Sequence, residues 1–239
     1  MSSTTTSNPA GLDLTPAELA SYIQHTKIDP DATRDEMVAH AREAVTHGFN
    51  AAMVPASWLP VVVAELKGTG VEVATALDFP TVGVMTSAGK AAEAEEIARL
   101  GADQLDIGVQ VGWLKSGRYD DFRDDIAGVV KASGLPVKVM LELPLLTDAE
   151  KEAAVELAME AGASFLKNAS SGQIETANPT SVRYLVDRAR DGVRVKASGS
   201  IKSYGQGLEL LRAGASLLGT SAGLAIITDS GDESTVSYC

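Results

Sequence analysis

The stretch Val193-Arg194-Val195-Lys196-Ala197-Ser198-Gly199-Ser200 decides how the rest of the chain is interpreted. Its β-branched residues predict a short strand that carries a lysine, and the small residues after the lysine predict a turn. A second stretch has the same order of apolar strand, lysine and Ser/Gly loop: Ser164-Phe165-Leu166-Lys167-Asn168-Ala169-Ser170-Ser171-Gly172. Removing an ammonium group from water is costly, so two lysines at matching places need a common explanation. We interpret both as side chains of one active site.

A unit of amphipathic helix, terminal glycine and strand recurs along the chain after a first strand at about residues 23–28. Seven junctions show it, at Gly48, Gly70, Gly101, Gly134, Gly162, Gly192 and Gly214. Helices between consecutive strands imply parallel pairing with right-handed crossovers. We therefore predict a single-domain (β/α)8 TIM barrel over residues 14–228, with flexible segments at 1–13 and 229–239. A doubly wound sheet is disfavoured because Ile28-Asp29-Pro30-Asp31, and not a glycine fingerprint, follows the first strand.

The composition is that of a globular protein, with 45% hydrophobic and 22% charged residues. A formal charge of −12 argues against nucleic acid or an anionic membrane as a partner. The only cysteine is Cys239, so no disulfide forms within the chain, and the apolar runs are too short to cross a bilayer. These features predict a cytoplasmic protein, and barrels of this kind often self-associate, so a homo-oligomer is also expected.

The ends of the predicted strands bring together groups that can do chemistry, because barrel active sites lie at the carboxyl ends of the strands. Asp106 lies in the fourth strand, and the sixth and seventh strands carry Lys167 and Lys196. A free lysine has a pKa of about 10.4, and desolvation together with a nearby cation can lower it by several units. The uncharged amine can then form a Schiff base with a carbonyl compound, while a carboxylate such as Asp106 moves protons.

Other residues have simpler interpretations. Lys138 lies early in the predicted fifth strand, residues 137–142, which ends at Glu142, and it is predicted to be a rim or structural ion-pair residue. His40 and His47 fall on a charged helical segment predicted to be solvated, and with His25 they show no metal-ligand spacing, so we expect no metal. The loops at residues 198–200 and 219–221 can bind phosphate through backbone N–H groups, although small polar loops are common without that role.

Several motifs in order give the chain a resemblance to the deoxyribose-phosphate aldolase family over roughly residues 23–223. The matching residues are Leu105-Asp106-Ile107, Gly112-Trp113-Leu114-Lys115-Ser116-Gly117, Leu146-Thr147-Asp148, Glu160-Ala161-Gly162-Ala163, Lys167, Val195-Lys196-Ala197-Ser198-Gly199 and Gly219-Thr220-Ser221. The resemblance implies a class I aldolase that joins acetaldehyde reversibly to glyceraldehyde 3-phosphate without metal or cofactor.

The resemblance also implies roles for individual residues. Lys167 would be the Schiff-base lysine, Lys196 the lysine that lowers its pKa, and Asp106 the proton-shuttling acid. The substrate-binding residues would be Thr26, Ser170, Gly199, Ser200, Gly219 and Ser221. Some members of the family end in a mobile tail whose tyrosine reaches the site, and Tyr238 would be that residue; a disordered tail is the alternative.

The chain departs from the family pattern around the substrate pocket. Gln24 replaces a first-strand aspartate, with Lys27 and Asp29 at positions usually occupied otherwise, and residues 168–171 replace Thr-Ser-Thr-Gly. Ser200 replaces the second glycine of a pair, and Ala222 replaces a serine. A side chain at position 200 lies where a phosphate would approach the backbone. We therefore expect intact core chemistry with an altered acceptor pocket, for a different or unphosphorylated aldehyde.

Two other functions compete with this one. A metal-dependent aldolase or isomerase would be inactivated by a chelator. A non-catalytic descendant that binds a sugar phosphate would form no covalent adduct with aldehydes. The retained pair of lysines and Asp106 favours the enzyme.

Overall fold

The computed structural model describes residues 12–228. Eight parallel strands close into a barrel in chain order, and β8 pairs with β1. The strands are β1 Ile23–Thr26, β2 Ala51–Met53, β3 Glu72–Leu77, β4 Gln104–Gly108, β5 Val137–Met140, β6 Phe165–Lys167, β7 Arg194–Ser198 and β8 Leu217–Thr220. The predicted (β/α)8 barrel is confirmed, and the doubly wound alternative is wrong because the sheet closes on itself.

The helices surround this barrel, and six of them begin after a residue whose side chain caps the first turn. They are α1 Pro16–Ala20, α2 Arg34–His47, α3 Leu59–Leu66, α4 Ser87–Arg99, α5 Val111–Lys115, α6 Tyr119–Ser133, α7 Asp148–Glu160, α8 Pro179–Val186, α9 Tyr204–Arg212 and α10 Gly223–Thr228. Thr15 caps α1 in a capping box with Glu18, and Pro16 is the first helical residue. The β4–β5 connection contains two helices, α5 and α6, where the repeat predicted one.

Two strands are shorter than the sequence predicts. β1 ends at Thr26 because its neighbour β2 ends at Met53, whose carbonyl accepts one last hydrogen bond from the N–H of Lys27. β5 ends at Met140, and Glu142 then takes a left-handed conformation with φ of 53°. The chain therefore turns away from the barrel before the predicted strand ends.

The barrel separates two kinds of buried environment. Outward-facing residues such as Leu105, Ile107 and Val139 belong to a large apolar core shared with the helices. Inside the barrel, Ala51, Met53 and Ala74 form a separate small cluster on β2 and β3. Small side chains on these two strands leave interior space that long polar side chains from the other strands fill.

A buried ion cluster fixes the loop between β3 and α4. The Nζ atom of Lys90 lies 3.0 Å from an Asp78 carboxylate oxygen and 2.8 Å from one of Asp125, and it donates to the Gly108 carbonyl at 2.7 Å. All three charged side chains are fully buried. Because Phe79 follows Asp78 directly, the cluster holds an aromatic ring at the mouth of the barrel.

The predicted flexible segments at 1–13 and 229–239 lie outside the described residues except for Leu12 and Asp13, and Tyr238 lies outside them as well. Leu12 packs against the core, and its carbonyl accepts a hydrogen bond from the Nε atom of Arg212 at 3.0 Å. Within residues 12–228, none of the helices combines the length and apolar character needed to span a bilayer.

Candidate active site

Four charged side chains meet inside the barrel near the carboxyl ends of the strands. The Asp106 Oδ2 atom lies 2.9 Å from the Nζ atom of Lys167 and 2.7 Å from that of Lys196. The other carboxylate oxygen, Oδ1, lies 3.1 Å from the Nζ atom of Lys138. All four residues are buried. Sequence reasoning selected three of these residues, and the structure brings them into direct contact.

Strand register explains how the sequence assembles this cluster. Lys167 pairs with Lys196 between β6 and β7, and Asp106 pairs with Lys138 between β4 and β5. Residues paired in register project from the same face of a sheet, so both pairs point into the barrel. Gly219 on β8 makes room, because a Cβ atom there would lie 2.9 Å from the Cε atom of Lys196.

The electrostatic balance of the cluster favours an ionised carboxylate beside two amines, those of Lys138 and Lys196, that lose their protons more easily than free lysines do. Burial on its own would raise the pKa of Asp106, but Lys167, Lys196 and Lys138 outweigh burial and hold that pKa well below its usual range. Burial lowers the pKa of Lys196 well below its ordinary value; Asp106 opposes this change, and the other two lysines add to it. A single buried carboxylate cannot compensate three ammonium groups, so the cluster is most stable after releasing protons.

Lys138 is a member of the cluster, and its placement at the rim was wrong. Its side chain is fully buried, and its Nζ atom also lies 5.7 Å from the ring centre of Phe165. Burial lowers its pKa, while Asp106 opposes that shift. The ion pair that the sequence interpretation proposed for this residue is present. Although Lys138 lies near the start of β5, its side chain points into the barrel, because the residue pairs in register with Asp106.

A cavity of about 550 Å³ opens above the cluster. Lys167 lines this cavity, whereas Asp106, Lys138 and Lys196 lie beneath it. All six residues predicted to bind substrate line the same cavity: Thr26, Ser170, Gly199, Ser200, Gly219 and Ser221. Sequence reasoning missed further lining residues, among them Met53, Phe79 and Lys202. Lys202 lies shortly after the β7 loop in the sequence, and this nearness alone could have identified it as a residue that lines the cavity.

The loops after β6 and β7 are locked together along one wall of the cavity. Asn168 donates to the Ser198 carbonyl at 3.0 Å, and the Ser198 N–H donates to the Asn168 Oδ1 atom at 2.9 Å. Ser200 has a φ of 49°, a left-handed conformation that disfavours a side chain. A Cβ atom on Gly172 would lie 2.0 Å from the Ser200 Oγ atom, so the Ser200 side chain occupies the space beside this glycine.

Glu142 supports the same wall from below. Its Oε1 atom accepts a hydrogen bond from the Ser170 N–H at 2.9 Å, and its Oε2 atom is buried without a hydrogen-bond partner among the described residues. Burial raises the pKa of this carboxyl group. The sequence placed Glu142 at the end of a strand and gave no signal of this contact with the β6 loop.

A second polar cluster lies beside β1, outside the lysine site. The rings of His25 and His40 stack with centroids 4.4 Å apart, and the His25 Nε2 atom lies 2.6 Å from a Glu43 carboxylate oxygen. His40 is buried, so its predicted solvation was wrong: its segment turns this face toward the barrel. Burial, reinforced by neighbouring His25, lowers the pKa of His40 to about 4.

The same cluster has the residue types of a metal site but not the geometry of one. One ligand atom from each of His25, His40 and Glu43 lies within 4.8 Å of the others. The two imidazole planes are only 28° apart, however, so their in-plane lone pairs do not converge on one point. The His40 Nε2 atom is also 3.1 Å from the His25 carbonyl, with which it forms a hydrogen bond. The arrangement fits a hydrogen-bonded histidine stack.

The fold and the lysine cluster define a class of protein. A (β/α)8 barrel that holds buried amines around one carboxylate at the carboxyl ends of its strands is suited to covalent carbonyl chemistry through a Schiff base. This combination is that of a class I aldolase.

Known proteins identify the family within this class. The deoxyribose-phosphate aldolase of Thermosynechococcus vestitus is 41% identical over 210 residues, which cover 88% of this chain and 96% of the relative. That of Staphylococcus carnosus is 40% identical over 211 residues, covering 88% and 96%. The structure of the tetrameric deoxyribose phosphate aldolase of Aeropyrum pernix superimposes with a TM-score of 0.81 at 29% identity, covering 89% of this chain and 91% of that one. No family model matches the sequence.

The chain belongs to the deoxyribose-phosphate aldolase family and is an aldehyde-lyase of class I. The resemblance carried by the sequence motifs is therefore confirmed.

Proposed function

We propose that the protein catalyses the reversible aldol addition of acetaldehyde, or a similarly small carbonyl donor, to an aldehyde acceptor through a Schiff base on Lys167. The observation that carries this proposal is the position of Lys167. Its amine reaches both the open cavity and the buried carboxylate of Asp106. The name of the relatives, deoxyribose-phosphate aldolase, supports an aldolase reaction, and the family resemblance implies glyceraldehyde 3-phosphate as the acceptor.

The chemical steps use the unprotonated amine of Lys167. Its nitrogen attacks the carbonyl carbon of the donor, and loss of water from the adduct gives an iminium ion. Removal of a proton from the adjacent carbon gives an enamine, whose carbon forms the new bond to the acceptor carbonyl. The acceptor oxygen takes up a proton, and water then releases the product and restores the amine.

Asp106 and Lys196 serve this cycle as a coupled pair. Their 2.7 Å contact allows a proton to pass between them: the pKa of the Asp106 carboxyl group is held well below its usual range, and the lowered pKa of Lys196 lets this amine give up its proton readily. Lys138 holds the second carboxylate oxygen, which fixes the direction in which Asp106 faces the two amines. The residues beneath the cavity thus orient Lys167 and pass protons.

The acceptor is bound by the wall formed by the β7 and β8 loops. Backbone N–H groups near Gly199 and Ser221, with the cationic Lys202 beside them, suit a phosphate group. Ser200 favours a second candidate, an unphosphorylated or otherwise different aldehyde, because its side chain adds bulk to this wall. Hydroxyl groups from Thr26, Ser170 and Ser200 would serve either acceptor as hydrogen-bond partners.

Acetaldehyde release from 2-deoxyribose 5-phosphate and from 2-deoxyribose, with a chelator present, tests the function and the acceptor together. We expect release from the phosphorylated sugar that the chelator does not reduce. Faster release from the unphosphorylated sugar would establish the second candidate. Loss of activity on chelation would establish the metal-dependent alternative, and absence of release from every aldol tested would leave a non-catalytic sugar-phosphate-binding protein.

We further propose a cytoplasmic homo-oligomer that acts in carbohydrate metabolism. The tetramer formed by the Aeropyrum pernix relative supports self-association. Light scattering after size-exclusion chromatography gives the mass in solution, and a monomer at micromolar concentration would contradict this part of the proposal. Cell fractionation tests the location.

A further inference from the structure

A chain of hydrogen bonds runs from the lysine cluster through the barrel interior toward the opposite end. The Lys196 Nζ atom donates to the Gln24 Oε1 atom at 2.6 Å. The Gln24 Nε2 atom in turn donates to Gln104 Oε1 at 2.8 Å and to Asn50 Oδ1 at 3.2 Å. The Gln104 Nε2 atom donates to a carboxylate oxygen of Glu72. Both glutamines are buried.

Glu72 determines which group donates and which accepts in each hydrogen bond of this series. An ionised carboxylate only accepts hydrogen bonds, so it requires the amide nitrogen of Gln104 on its side. The Gln104 oxygen then faces Gln24 and requires the Gln24 nitrogen. The oxygen of Gln24 is left to face Lys196. Each amide is thereby fixed in one of its two orientations, and Lys196 meets an acceptor.

Gln24 therefore holds Lys196 without contributing charge. The side chains around the Lys196 amine are Gln24 on β1, Met53 on β2, Asp106 on β4 and Lys167 on β6. Lys138 on β5 lies close by, and Glu72 on β3 lies at the far end of the hydrogen-bond series. Asp106 supplies the only carboxylate in direct contact with a lysine of this cluster among residues 12–228. A glutamate at position 24 would add a second negative charge 2.6 Å from an amine that has to lose its proton easily.

We propose that Gln24 is a positioning residue of the active site: its amide oxygen, oriented by Gln104 and Glu72, holds the Lys196 amine beside Asp106 and leaves the lysine cluster with a single carboxylate. This inference rests on the proposed Schiff-base function, because it assigns Gln24 a part in the proton balance of that reaction.

The test compares Q24E, Q24M and E72Q with the wild type. The substitution Q24E keeps the shape of the side chain and adds a charge, so the cluster retains its protons to higher pH. We expect the rising limb of the pH profile of kcat/KM to move upward by about one pH unit or more. Q24M removes the acceptor without adding charge, and kcat should fall about tenfold with little change in KM and no upward movement of that limb. E72Q, remote from the cavity, should lower kcat a few-fold in the same way.

A titration that needs no substrate separates this inference from the proposed function. The ¹³Cε resonances of the lysines report protonation in labelled protein, and K196R assigns the resonance of Lys196. In Q24E this resonance should titrate at higher pH than in the wild type. Unchanged titration and an unchanged pH profile in folded Q24E would overturn the role of Gln24 while leaving the aldolase intact. If Q24E does not fold, full kcat in both Q24M and E72Q would overturn it. Wild-type protein without aldolase activity would refute the proposed function alone.

Discussion

Lys167 and Lys196 are register partners on adjacent strands, and their amines contact the same oxygen of Asp106 at 2.9 Å and 2.7 Å. Parallel pairing thus places two amines side by side in a buried site, where two positive charges without matching counter-ions would be destabilising. The cavity reaches Lys167 and leaves Lys196 buried beneath it. This division supports the proposed roles, covalent chemistry for Lys167 and proton transfer for Lys196.

Removing the carboxylate should disable the cluster and destabilise the fold. In D106N three buried amines lose the only carboxylate that contacts them directly within residues 12–228, so kcat should fall at least roughly a hundredfold. The free energy of unfolding at neutral pH should fall by about 3–5 kcal/mol. The deficit should shrink as the pH rises, because neutral amines need no counter-ion. Urea unfolding at several pH values measures this, with the exposed Asp124→Asn as the matched control. A pH-independent deficit would contradict the account.

Ser200 should control the choice of acceptor. Replacing it with glycine removes a side chain from the cavity wall, and the ratio of kcat/KM for 2-deoxyribose 5-phosphate over 2-deoxyribose should rise roughly tenfold. Glycine also relieves the left-handed strain, which should stabilise the protein by about 1 kcal/mol. Asp191, exposed and with a φ of 56°, provides the control. D191G should gain similar stability without any change in the substrate ratio; equal ratios in wild type and S200G would remove Ser200 from the specificity argument.

His40 should make the protein less stable in mild acid. Its pKa of about 4 in the folded state lies below the ordinary value of 6.5, so between these values the unfolded chain binds more protons. Stability is therefore complete above pH 6.5 and falls as the pH drops toward 4, by about 3 kcal/mol in total. H40L should flatten this part of the curve, whereas H47L, at a half-buried position, should not. Denaturant unfolding from pH 4 to 7.5 decides the matter.

The buried Lys90 cluster should be required for folding stability and for the shape of the cavity mouth. K90M leaves two buried carboxylates without their cation, so the free energy of unfolding should fall by about 3–5 kcal/mol. Because the cluster holds Phe79 at the cavity, KM should also rise. K131M, at an exposed site, should change stability by less than about 0.5 kcal/mol. A K90M variant as stable as wild type would show that its ion pairs contribute nothing net.

The sequence could predict features that repeat along the chain and features that a short stretch of residues determines by itself. The seven glycine junctions and the first strand predicted the eight strands, and the matching places of Lys167 and Lys196 in two similar stretches predicted that both lie in one site. Lys138 was misplaced because its neighbour Asp106 is set by the register of β4 and β5, which no local pattern reveals. His40 was misplaced because the charged residues beside it hid the buried face of α2.

Long-range polar contacts were beyond sequence reasoning for a physical reason. Gln24 and Lys196 are 172 residues apart in the sequence. Their side chains come into contact only because the barrel closes, which places β1 beside β8 and close to β7. The left-handed turn at Glu142 is equally hidden, since glutamate has no preference for that conformation. The sequence predicted which residues form the lysine site, and the closed barrel brings in the residues that support it.

Reduction of the Schiff base tests the central claim most directly. The protein is incubated with acetaldehyde and borohydride, digested, and searched by mass spectrometry for an N-ethyl lysine, with K167R as the control. The account predicts one modified site, at Lys167, formed only when both reagents are present and absent from K167R. Modification at Lys196 or Lys138, or none in correctly folded wild-type protein, would contradict it.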